Sequence, residues 1–336
     1  MINNSLNVLY ASNDNYSRHL ATSLYSLLEN NSSFKDISIY VLTLGLSTEN
    51  KEKLITITNK FNRNLNFINM DNIRSKFKMD FDIGGFDISI MLRLFVGEVL
   101  SDDIDRILYL DCDTVVLNSV YDLWNTNLNS NIIGAVYEPT IYKKVKDSID
   151  LNEDDPYFNS GVLLIDLNKW KNGNIQSKLL DFYKKKNGKL FASDQDLING
   201  VLKGNIQYLS PKYNFFTNFY YFPYKELVKQ SPLYSNISYE EFKTSKANPT
   251  ILHYLGDERP WIAGNLNHYR KHYEHYLSLT PYKGYPKEEG KRLYLLAYHM
   301  VELVTFVFPS FRKFISNVIG MKLIENRKGA VQKPKC

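Results

Sequence analysis

Cysteine is scarce in this chain of 336 residues, with Cys112 and Cys336 the two present. So few thiols exclude a disulfide framework and a cysteine-based metal site within one chain, and they favour a reducing compartment. The N-terminal stretch MINNSLNVLY also lacks a basic cluster followed by a long apolar core. We therefore expect no secretory signal and a cytoplasmic location.

A strong excess of charge of one sign is also missing, because the net charge is +5 and charged residues make up 23% of the chain. The apolar share of 44% is that of an ordinary globular protein. The basic excess lies near the C-terminus, where nine Lys and Arg residues from position 291 onward accompany two acidic ones, Glu302 and Glu325. This distribution excludes a nucleic-acid-binding body and favours a local surface that meets an anionic partner.

Short β-rich apolar runs alternate with longer helical patterns in the first half of the chain. The strand candidates are NVLYA (7–11), ISIYVLT (37–43), LNFIN (65–69) and RILYL (106–110), and a helical SIMLRLFVGEVL covers 89–100. This alternation predicts an α/β fold with a mostly parallel, Rossmann-like central sheet and flanking helices. Because ligands bind beyond the carboxyl ends of such strands, we expect residues 12–16 and 111–113 to share one rim.

The middle of the chain carries two further strand candidates, IIGAVYE (132–138) and SGVLLIDL (160–167). Helical patterns follow in NKWKNGNIQSKLLDFYKKK and SDQDLINGVLKG. The stretch YNFFTNFYYFPY (213–224) is rich in aromatic residues and broken by Pro223. We interpret it as a packed loop region beside the site, with a satellite core under a long loop as an equally favoured alternative.

A helix with an almost continuous apolar surface is predicted over 291–308, before Pro309. Its polar residues form a narrow stripe at helical spacing, namely Arg292, His299, Glu302 and Thr305. The apolar run is too short for a transmembrane span and carries ionisable groups. An interfacial helix with basic flanks fits better, and a helix packed on the protein body is the alternative.

The strongest local motif is DRILYLDCDTVVL, in which an apolar strand ends in Asp111, Cys112 and Asp113. Residues two apart on a strand point to the same face. Two carboxylates so placed need a counter-charge, and a hard divalent cation with oxygen ligands supplies one. Mg²⁺ or Mn²⁺ in such a place bridges protein carboxylates and diphosphate oxygens. Taken alone, an acidic pair at a strand end is more often two solvated loop residues.

Five further blocks accompany this motif in a fixed order. They are YASNDNY (10–16), MLRL with Arg93, YFNSGVLLIDLNKW (157–170), SDQDLING (193–200) and HYLGDERPW (253–261). Together the six blocks resemble the family 8 glycosyltransferases, a GT-A-fold family that includes bacterial lipooligosaccharide galactosyltransferases and, more distantly, glycogenin. The resemblance implies a GT-A fold and a retaining, UDP-sugar-dependent hexosyltransferase.

The resemblance also implies a role for each matching residue. The cation, Mn²⁺ or Mg²⁺, would be bound by Asp111, Asp113 and His253. The nucleotide would contact Ala11, Asn13, Tyr16, Asp111, Asp113, Gly256 and Arg259. The donor sugar would lie among Arg93, Asp111, Asn159, Asp194 and Gln195. The residues of the reaction itself would be Gln195, Asp194 and Arg93.

Several of these residues have an ordinary structural alternative. His253 could be a hydrogen-bonded structural histidine, and Asn13 could be the N-cap of a plain turn. Arg93 could be a surface helix arginine and Asp194 a helix N-cap. The family often has an aspartate at the position of Asn13 and commonly a lysine at that of Arg259, so base and phosphate contacts differ in detail here.

Retention in this family raises the question of a nucleophile near the anomeric carbon. The matching segment offers Gln195, flanked by Asp194 and Asp196, and an amide is a poor nucleophile. We therefore favour displacement on one face of the sugar through an oxocarbenium-like state, in which the departing diphosphate takes the acceptor proton. Gln195 would then stabilise the cationic sugar.

The predicted activity is transfer of galactose or glucose from a UDP-sugar to a saccharide acceptor, lipid-linked in our interpretation, in bacterial cell-surface glycan synthesis. Alternatives are a non-catalytic sugar-nucleotide-binding protein and a self-glycosylating protein of the glycogenin type. A nucleotidyltransferase would need a glycine-rich basic loop after the first strand, which residues 12–15 do not provide.

The predicted domain organisation has three parts. A GT-A catalytic domain covers 1–280, a C-terminal helical extension covers 281–328, and a disordered tail covers 329–336. We expect peripheral contact with the inner face of the cell membrane through residues 291–328, because that segment combines apolar and basic residues.

Overall fold

The structure is a computed structural model that describes residues 4–73, 87–139, 141–309 and 311. Its β-strands are β1 (Ser5–Asn13), β2 (Asp36–Leu44), β3 (Asn64–Asn69), β4 (Arg106–Leu110), β5 (Thr114–Val116), β6 (Ile133–Ala135), β7 (Val162–Asp166), β8 (Ile206–Tyr208), β9 (Phe215–Phe216) and β10 (Ile251–His253).

The α-helices of the described residues flank these strands. They are α1 (Ser17–Asn30), α2 (Thr48–Lys60), α3 (Val96–Val99), α4 (Tyr121–Trp124), α5 (Lys143–Ser148), α6 (Leu167–Asn172), α7 (Ile175–Lys185), α8 (Asp194–Val201), α9 (Tyr224–Gln230), α10 (Tyr239–Ala247), α11 (Arg270–Ser278) and α12 (Arg292–Val307). Short 3₁₀ helices lie at Asp14–Tyr16, Ile88–Phe95, Pro211–Asn214, Thr217–Tyr221 and Pro232–Asn236.

The central sheet, within the described part of the chain, has seven strands in the order β3-β2-β1-β4-β7-β6-β8. Neighbours from β3 to β4 are parallel, whereas β7 runs antiparallel to both β4 and β6. Helices cover both faces, which explains why the strands read as continuous apolar runs. The prediction of an α/β fold with a mostly parallel sheet is confirmed.

The first strand extends further than its apolar run indicates. It pairs with β2 as far as Asn13, opposite Leu44, and the 3₁₀ helix Asp14–Tyr16 follows at once. Ser12 and Asn13, which follow the apolar run, therefore continue the sheet and do not form a turn. The side chain of Asn13 accepts a hydrogen bond from the backbone N–H of Tyr16 at 3.1 Å and so ends the strand.

A second, three-stranded sheet has the order β5-β10-β9. Strand β10 is antiparallel to β5, with His253 opposite Thr114, and parallel to β9. The residue before Thr114 is Asp113, so this register brings His253 next to the acidic motif. The small sheet thus joins two parts of the chain that are far apart in sequence.

Two predicted helical stretches are modified in the structure. The segment 89–100 begins as the 3₁₀ helix Ile88–Phe95 and only its last turn, α3, is α-helical. The stretch after β7 is split into α6 and α7, because Asn174 has a positive φ of 49° between them. The apolar pattern of 89–100 did not distinguish a 3₁₀ helix from an α-helix, and it gave no signal for the break at Asn174.

The aromatic stretch at 213–224 belongs to the main core. Phe215 and Phe216 form β9, and their side chains are fully buried with that of Phe219. Burial of each such side chain stabilises the fold by about 1.5–3 kcal/mol. The segment is therefore not a loop throughout, and its Asn214 is the residue that reaches the site.

Helix α12 packs against the protein body with the part of its polar stripe that contains Glu302 and Thr305, whereas Arg292 is exposed. Leu295, Glu302 and Thr305 are its buried residues. Exposed apolar side chains of α12 and the residues that follow it are Leu293, Leu296, Met300, Val301, Leu303, Val304, Phe306, Val307, Phe308 and Phe311. None of the described helices is both long enough and apolar enough to cross a bilayer. The predicted tail at 329–336 lies outside the described residues.

Candidate active site

A cavity of about 470 Å³ lies beyond the carboxyl ends of β1 and β4. This volume is within the range of small-molecule sites. The predicted site residues that line it are Ala11, Tyr16, Arg93, Asp111, Asp113, Asn159, Asp194, Gln195, His253, Gly256 and Arg259. Asn13 is not among its lining residues, and its side chain has the alternative N-cap role instead. One cavity therefore gathers residues from six separate sequence blocks.

The acidic motif and His253 meet on one side of this cavity. His253 Nε2 lies 3.2 Å from Asp113 Oδ1 and 3.9 Å from Asp111 Oδ2. One ligand atom from each of the three residues lies within 4.8 Å of the others. The backbone N–H of Asp111 donates to Gly161 O at 2.8 Å, which fixes the start of the motif.

The hydrogen bonds behind His253 determine its tautomer. The backbone N–H of Gly161 donates to Asn159 Oδ1 at 2.9 Å, which identifies this atom as the side-chain oxygen. Because an oxygen can only accept, the Asn214 atom that lies 2.9 Å from it is the donor Nδ2. Asn214 Oδ1 is then the atom that faces His253 Nδ1, at 2.9 Å, and it accepts the Nδ1 proton. Nε2 then faces Asp113 and Asp111. Burial alone would lower the pKa of His253, but these two carboxylates raise it.

That Nε2 atom is buried and has no hydrogen-bond partner among the described residues. In the deprotonated ring, this nitrogen directs its lone pair to the side where the two carboxylates lie. An unpaired buried imidazole nitrogen is costly, and a divalent cation would satisfy it. The donor set of two carboxylates and one imidazole suits Mn²⁺ or Mg²⁺. Asp111, Asp113 and His253 therefore form a donor set that could hold a divalent cation.

Gly161 completes the floor of this constellation. A Cβ atom placed on it would lie 2.2 Å from His253 Cε1 and 2.9 Å from Asp111 Oδ2. No larger residue fits without moving the ligands. Gly161 belongs to the NSG block and was not predicted as a site residue, although a glycine inside a strand pattern indicates a close approach of this kind.

The two carboxylates have different electrostatic surroundings. Burial raises the pKa of Asp111, although Arg93 acts in the opposite direction. Burial would also raise the pKa of Asp113, but His253 and Arg259 outweigh it and hold that pKa below its usual range. Asp113 is therefore the more firmly ionised of the two, and a cation would favour ionisation of both.

Arg93 lies at the centre of the cavity wall and is 4% exposed. Its Nη2 donates to Asp111 Oδ1 at 2.8 Å, and its Nε lies 3.2 Å from Asp194 Oδ2. The guanidinium also stacks over the Tyr109 ring, 4.3 Å from its centroid. The alternative of a surface arginine is wrong, because this side chain connects two buried carboxylates.

Asp194 and Gln195 stand at the start of α8 and face the same wall. Asp194 Oδ2 accepts from Ser160 Oγ at 2.9 Å, and burial raises the pKa of Asp194 to about 6. Gln195 Oε1 accepts from the backbone N–H of Ser160 at 3.0 Å. The N-cap position of α8 belongs to Ser193, so Asp194 does not serve as the cap.

A further carboxylate in the cavity, Glu138, was not predicted. Asn159 Nδ2 donates to Glu138 Oε2 at 2.8 Å, and Gln195 Nε2 lies 3.4 Å from the same atom. Glu138 is the last residue of the strand candidate IIGAVYE, so its place at the end of a strand was the available signal. Glu138 holds the two amide side chains in fixed orientations.

Asp196 is not part of the cavity wall. Its carboxylate accepts from Tyr157 Oη at 2.5 Å and from the backbone N–H groups of Phe191 and Ala192 at 2.6 and 2.8 Å. The side chain is fully buried. It stabilises the turn before α8, and of the two aspartates beside Gln195 only Asp194 lines the cavity.

The opposite end of the cavity has the predicted nucleotide residues. Ala11 is a half-buried residue of β1, and its carbonyl accepts from Cys112 Sγ at 3.2 Å. Gly256 adopts a positive φ of 61°, which favours glycine and leaves the backbone open to a ligand. Arg259 Nε is buried without a hydrogen-bond partner among the described residues. This end of the cavity therefore presents an accessible backbone at Gly256 and the cationic guanidinium of Arg259 to a ligand.

Comparison with known proteins agrees with this geometry. The chain is 29% identical over 278 residues to General stress protein A of Bacillus subtilis (strain 168), covering 82% of this chain and 94% of that protein. It is 29% identical over 208 residues to a lipopolysaccharide 1,2-glucosyltransferase of Escherichia coli (strain K12), covering 61% of this chain and 58% of that one. The crystal structure of the galactosyltransferase LgtC, in complex with donor and acceptor sugar analogs, superposes with a TM-score of 0.70 at 25% identity, covering 82% of this chain and 96% of that one.

The fold and the cavity define a glycosyltransferase of the GT-A type. The model of glycosyl transferase family 8 matches residues 7–264, and the chain belongs to that family. Its relatives include lipopolysaccharide glucosyltransferases and galactosyltransferases.

Proposed function

We propose that this protein transfers galactose or glucose from a UDP-sugar to a hydroxyl of a saccharide, with retention at the anomeric carbon and in a Mn²⁺-dependent manner. The observation that carries the proposal is the double role of Asp111. It faces His253 Nε2 on one side and receives the Arg93 guanidinium on the other. The candidate cation site and the polar side chains that could bind a sugar therefore adjoin each other at the Asp111 carboxylate.

The nucleotide end would hold UDP through Tyr16, Gly256 and Arg259. The Tyr16 ring lines the cavity and can stack on a base, and the exposed backbone at Gly256 allows diphosphate oxygens to approach closely. Arg259 offers a planar guanidinium to the same oxygens. Mn²⁺ bound by Asp111, Asp113 and His253 would act as a Lewis acid on the diphosphate.

The sugar would lie against Arg93, Asn159, Asp194 and Gln195. Ser160 holds Arg93, Asp194 and Gln195, and Glu138 holds Asn159, so these side chains present fixed donors and acceptors. A site built in this way rejects a sugar whose hydroxyl is misplaced. The names of the relatives support glucose or galactose as the transferred sugar.

Retention would proceed on one face of the sugar. Gln195 is an amide, and Asp194 is paired with Arg93, so neither is an effective nucleophile. The bond between the anomeric carbon and the diphosphate oxygen breaks while the acceptor oxygen attacks from the same side. The acceptor proton passes to the departing diphosphate oxygen, and Gln195 together with the Asp194 carboxylate stabilises the positive charge on the sugar.

The acceptor would be lipid-linked and reached at the inner face of the cell membrane. Leu293 and Leu303 on α12 are 84% and 66% exposed, and they belong to a continuous apolar surface. The basic residues that follow position 311 would add attraction to anionic lipids. The enzyme would then work where such acceptors are inserted.

A hydrolysis assay tests this proposal. Purified protein is incubated with a panel of UDP-sugars and either Mn²⁺ or EDTA, and the release of UDP and free sugar is measured. We expect slow, metal-dependent hydrolysis of UDP-galactose or UDP-glucose that is lost in Asp113→Asn and retained in Asp122→Asn, an exposed control. Binding of a UDP-sugar without any turnover would instead favour a non-catalytic sugar-nucleotide-binding protein.

A further inference from the structure

Helix α12 contacts the loop that carries Gly256 and Arg259. Tyr294 Oη donates to Asp257 Oδ2 at 2.8 Å, and Tyr298 Oη lies 3.0 Å from Glu258 Oε1. The helix therefore binds the loop at the two residues between the proposed diphosphate contacts. The family match ends at residue 264, so this helix lies outside it.

A buried pair of carboxyl groups lies at the centre of this contact. Glu258 and Glu302 are 1% and 2% exposed. His299 Nε2 accepts from the backbone N–H of Leu266 at 2.9 Å, so Nδ1 carries the ring proton and donates to Glu302 Oε2 at 2.9 Å. Both ring nitrogens are thus engaged, which leaves His299 no lone pair for a metal. Glu258, His299 and Glu302 each offer one ligand atom within 4.8 Å of the others. Two buried carboxyl groups so close together hold one proton between them.

We propose that the Glu258–Glu302 pair makes α12 a positioning element for Arg259, so that the C-terminal helix sets the affinity of the enzyme for its nucleotide-sugar donor. The inference rests on the proposed function of Arg259. Glu258 is the chain neighbour of Arg259 and is tied on its other side to Asn267, whose Nδ2 donates to Glu258 Oε2 at 2.7 Å. Glu258 and Glu302 are positioning residues and do not touch the donor.

The charges around the pair explain how it would respond to pH. Tyr298 and His299 face it from α12, Arg270 acts on His299 from α11, and Asp257 flanks it in the loop. Burial and the neighbouring Glu302 raise the pKa of Glu258 to about 9.

When the loop is packed on α12, Glu258 keeps its proton up to a pH of about 9. When the loop opens, Glu258 is exposed to water and loses this proton at any pH above the ordinary carboxyl pKa of 4.5. Opening therefore becomes easier by up to about tenfold per pH unit as the pH rises, and levels off above about 9. Loosening of the loop at alkaline pH is the expected consequence.

Hydrogen exchange of the whole protein, without substrate, tests the contact. Peptides covering 255–267 are compared in wild type, Glu302→Ala, Glu258→Gln and Glu289→Gln, a matched control whose exposed carboxylate pairs with Arg292 outside this contact. We expect faster exchange in Glu302→Ala than in the control. In Glu258→Gln the side-chain amide can still donate a hydrogen bond to Glu302 but carries no titrating proton. The pH dependence of loop opening should therefore disappear in this variant.

Donor kinetics provide a second readout. Glu302→Ala is expected to raise the KM for the UDP-sugar roughly tenfold with kcat within about twofold, because the loop is loosened and the reacting groups are unchanged. The KM of wild type should rise between pH 7.5 and about 9, and that of Glu258→Gln should not.

Two results would overturn the inference: unchanged exchange at 255–267 in Glu302→Ala, or the same pH dependence in Glu258→Gln as in wild type. If wild type turns over no donor, the proposed function fails, and the exchange measurement still decides whether α12 holds the loop. A purely structural role predicts a fall in kcat and in thermal stability with no change in the pH profile of KM.

Discussion

Arg93 Nη2 donates to Asp111 Oδ1 at 2.8 Å from a guanidinium that is almost completely buried. The same group reaches Asp194 and the backbone carbonyl of Ser160, so its planar shape connects the proposed metal side and sugar side of the cavity. A lysine would keep the charge but could not make these contacts together.

Arg93→Lys is therefore expected to lower kcat for donor hydrolysis by about 100-fold, the scale seen when one preorganised donor is removed from an active site. Thermal unfolding should change little, because a buried cation remains beside both carboxylates. Arg106→Lys is the matched control, since Arg106 donates to the backbone carbonyls of Trp124 and Thr126 outside the cavity. A wild-type kcat in Arg93→Lys would show that the guanidinium of Arg93 is not required for the reaction.

Asn214 controls which nitrogen of His253 is available to a metal. Replacement by alanine removes the acceptor at Nδ1, and the Nε2 lone pair is then no longer fixed toward Asp113. We expect Asn214→Ala to weaken Mn²⁺ binding by about 10- to 100-fold, the usual effect of losing such a supporting hydrogen bond.

Calorimetric titration with Mn²⁺ measures this effect without any need for activity. Asn218→Ala serves as the control, because Asn218 lies in the same aromatic segment and its Oδ1 accepts no hydrogen bond in the described structure. Equal Mn²⁺ affinity in Asn214→Ala and the control would show that the tautomer is set by another group.

Much of the fold could be predicted from the sequence because its signals are local. The strands β1 to β4 and the acidic motif after β4 depend on short apolar runs and on their ends. By contrast, the place of His253 depends on the register of β10 against β5, and its tautomer depends on Asn214, which stands 39 positions earlier. Neither relation has a signature within a window of sequence.

The orientation of α12 shows a different limit. Helical periodicity correctly separates the stripe containing Glu302 and Thr305 from the apolar surface. The hydrophobic effect alone would place the apolar residues inside, whereas the structure buries the polar stripe because Glu258 supplies a buried partner for it. A partner of this kind becomes visible only once the loop and the helix are folded together.

The pH dependence of the reaction should report on Asp194, whose pKa burial raises to about 6. Below this pH the carboxyl takes up a proton and no longer balances Arg93 or the positive charge on the sugar. We expect kcat to fall by up to about tenfold per pH unit below 6. Acid unfolding caused by Asp194 does not explain this fall in kcat. Because its pKa is raised in the folded state, Asp194 contributes its full share to the free energy of unfolding below pH 3.8 and loses it as the pH rises through about 6.

A pH profile of Asp194→Asn checks this assignment. The variant should have a low rate without the acid limb, whereas the exposed control Asp122→Asn should retain the wild-type profile. An unchanged acid limb in Asp194→Asn would assign it to another group of the cavity, with Asp111 the first to examine.

The exposed apolar surface of α12 predicts binding to anionic bilayers. Leu293→Asp combined with Leu303→Asp places two charges on side chains that are largely solvent-exposed, so the fold should not change. We expect binding to phosphatidylglycerol vesicles in a flotation assay to fall at least tenfold, since an aspartate at the interface opposes both insertion and the attraction of the basic residues after position 311. Ile55→Asp is the control, because Ile55 is an exposed apolar residue on α2. Hydrolysis of the soluble donor should be unaffected by either change. A loss of transfer confined to lipid-linked acceptors would therefore show that this surface gives access to the acceptor. Vesicle binding at the wild-type level by the double variant would rule out a membrane role for the surface.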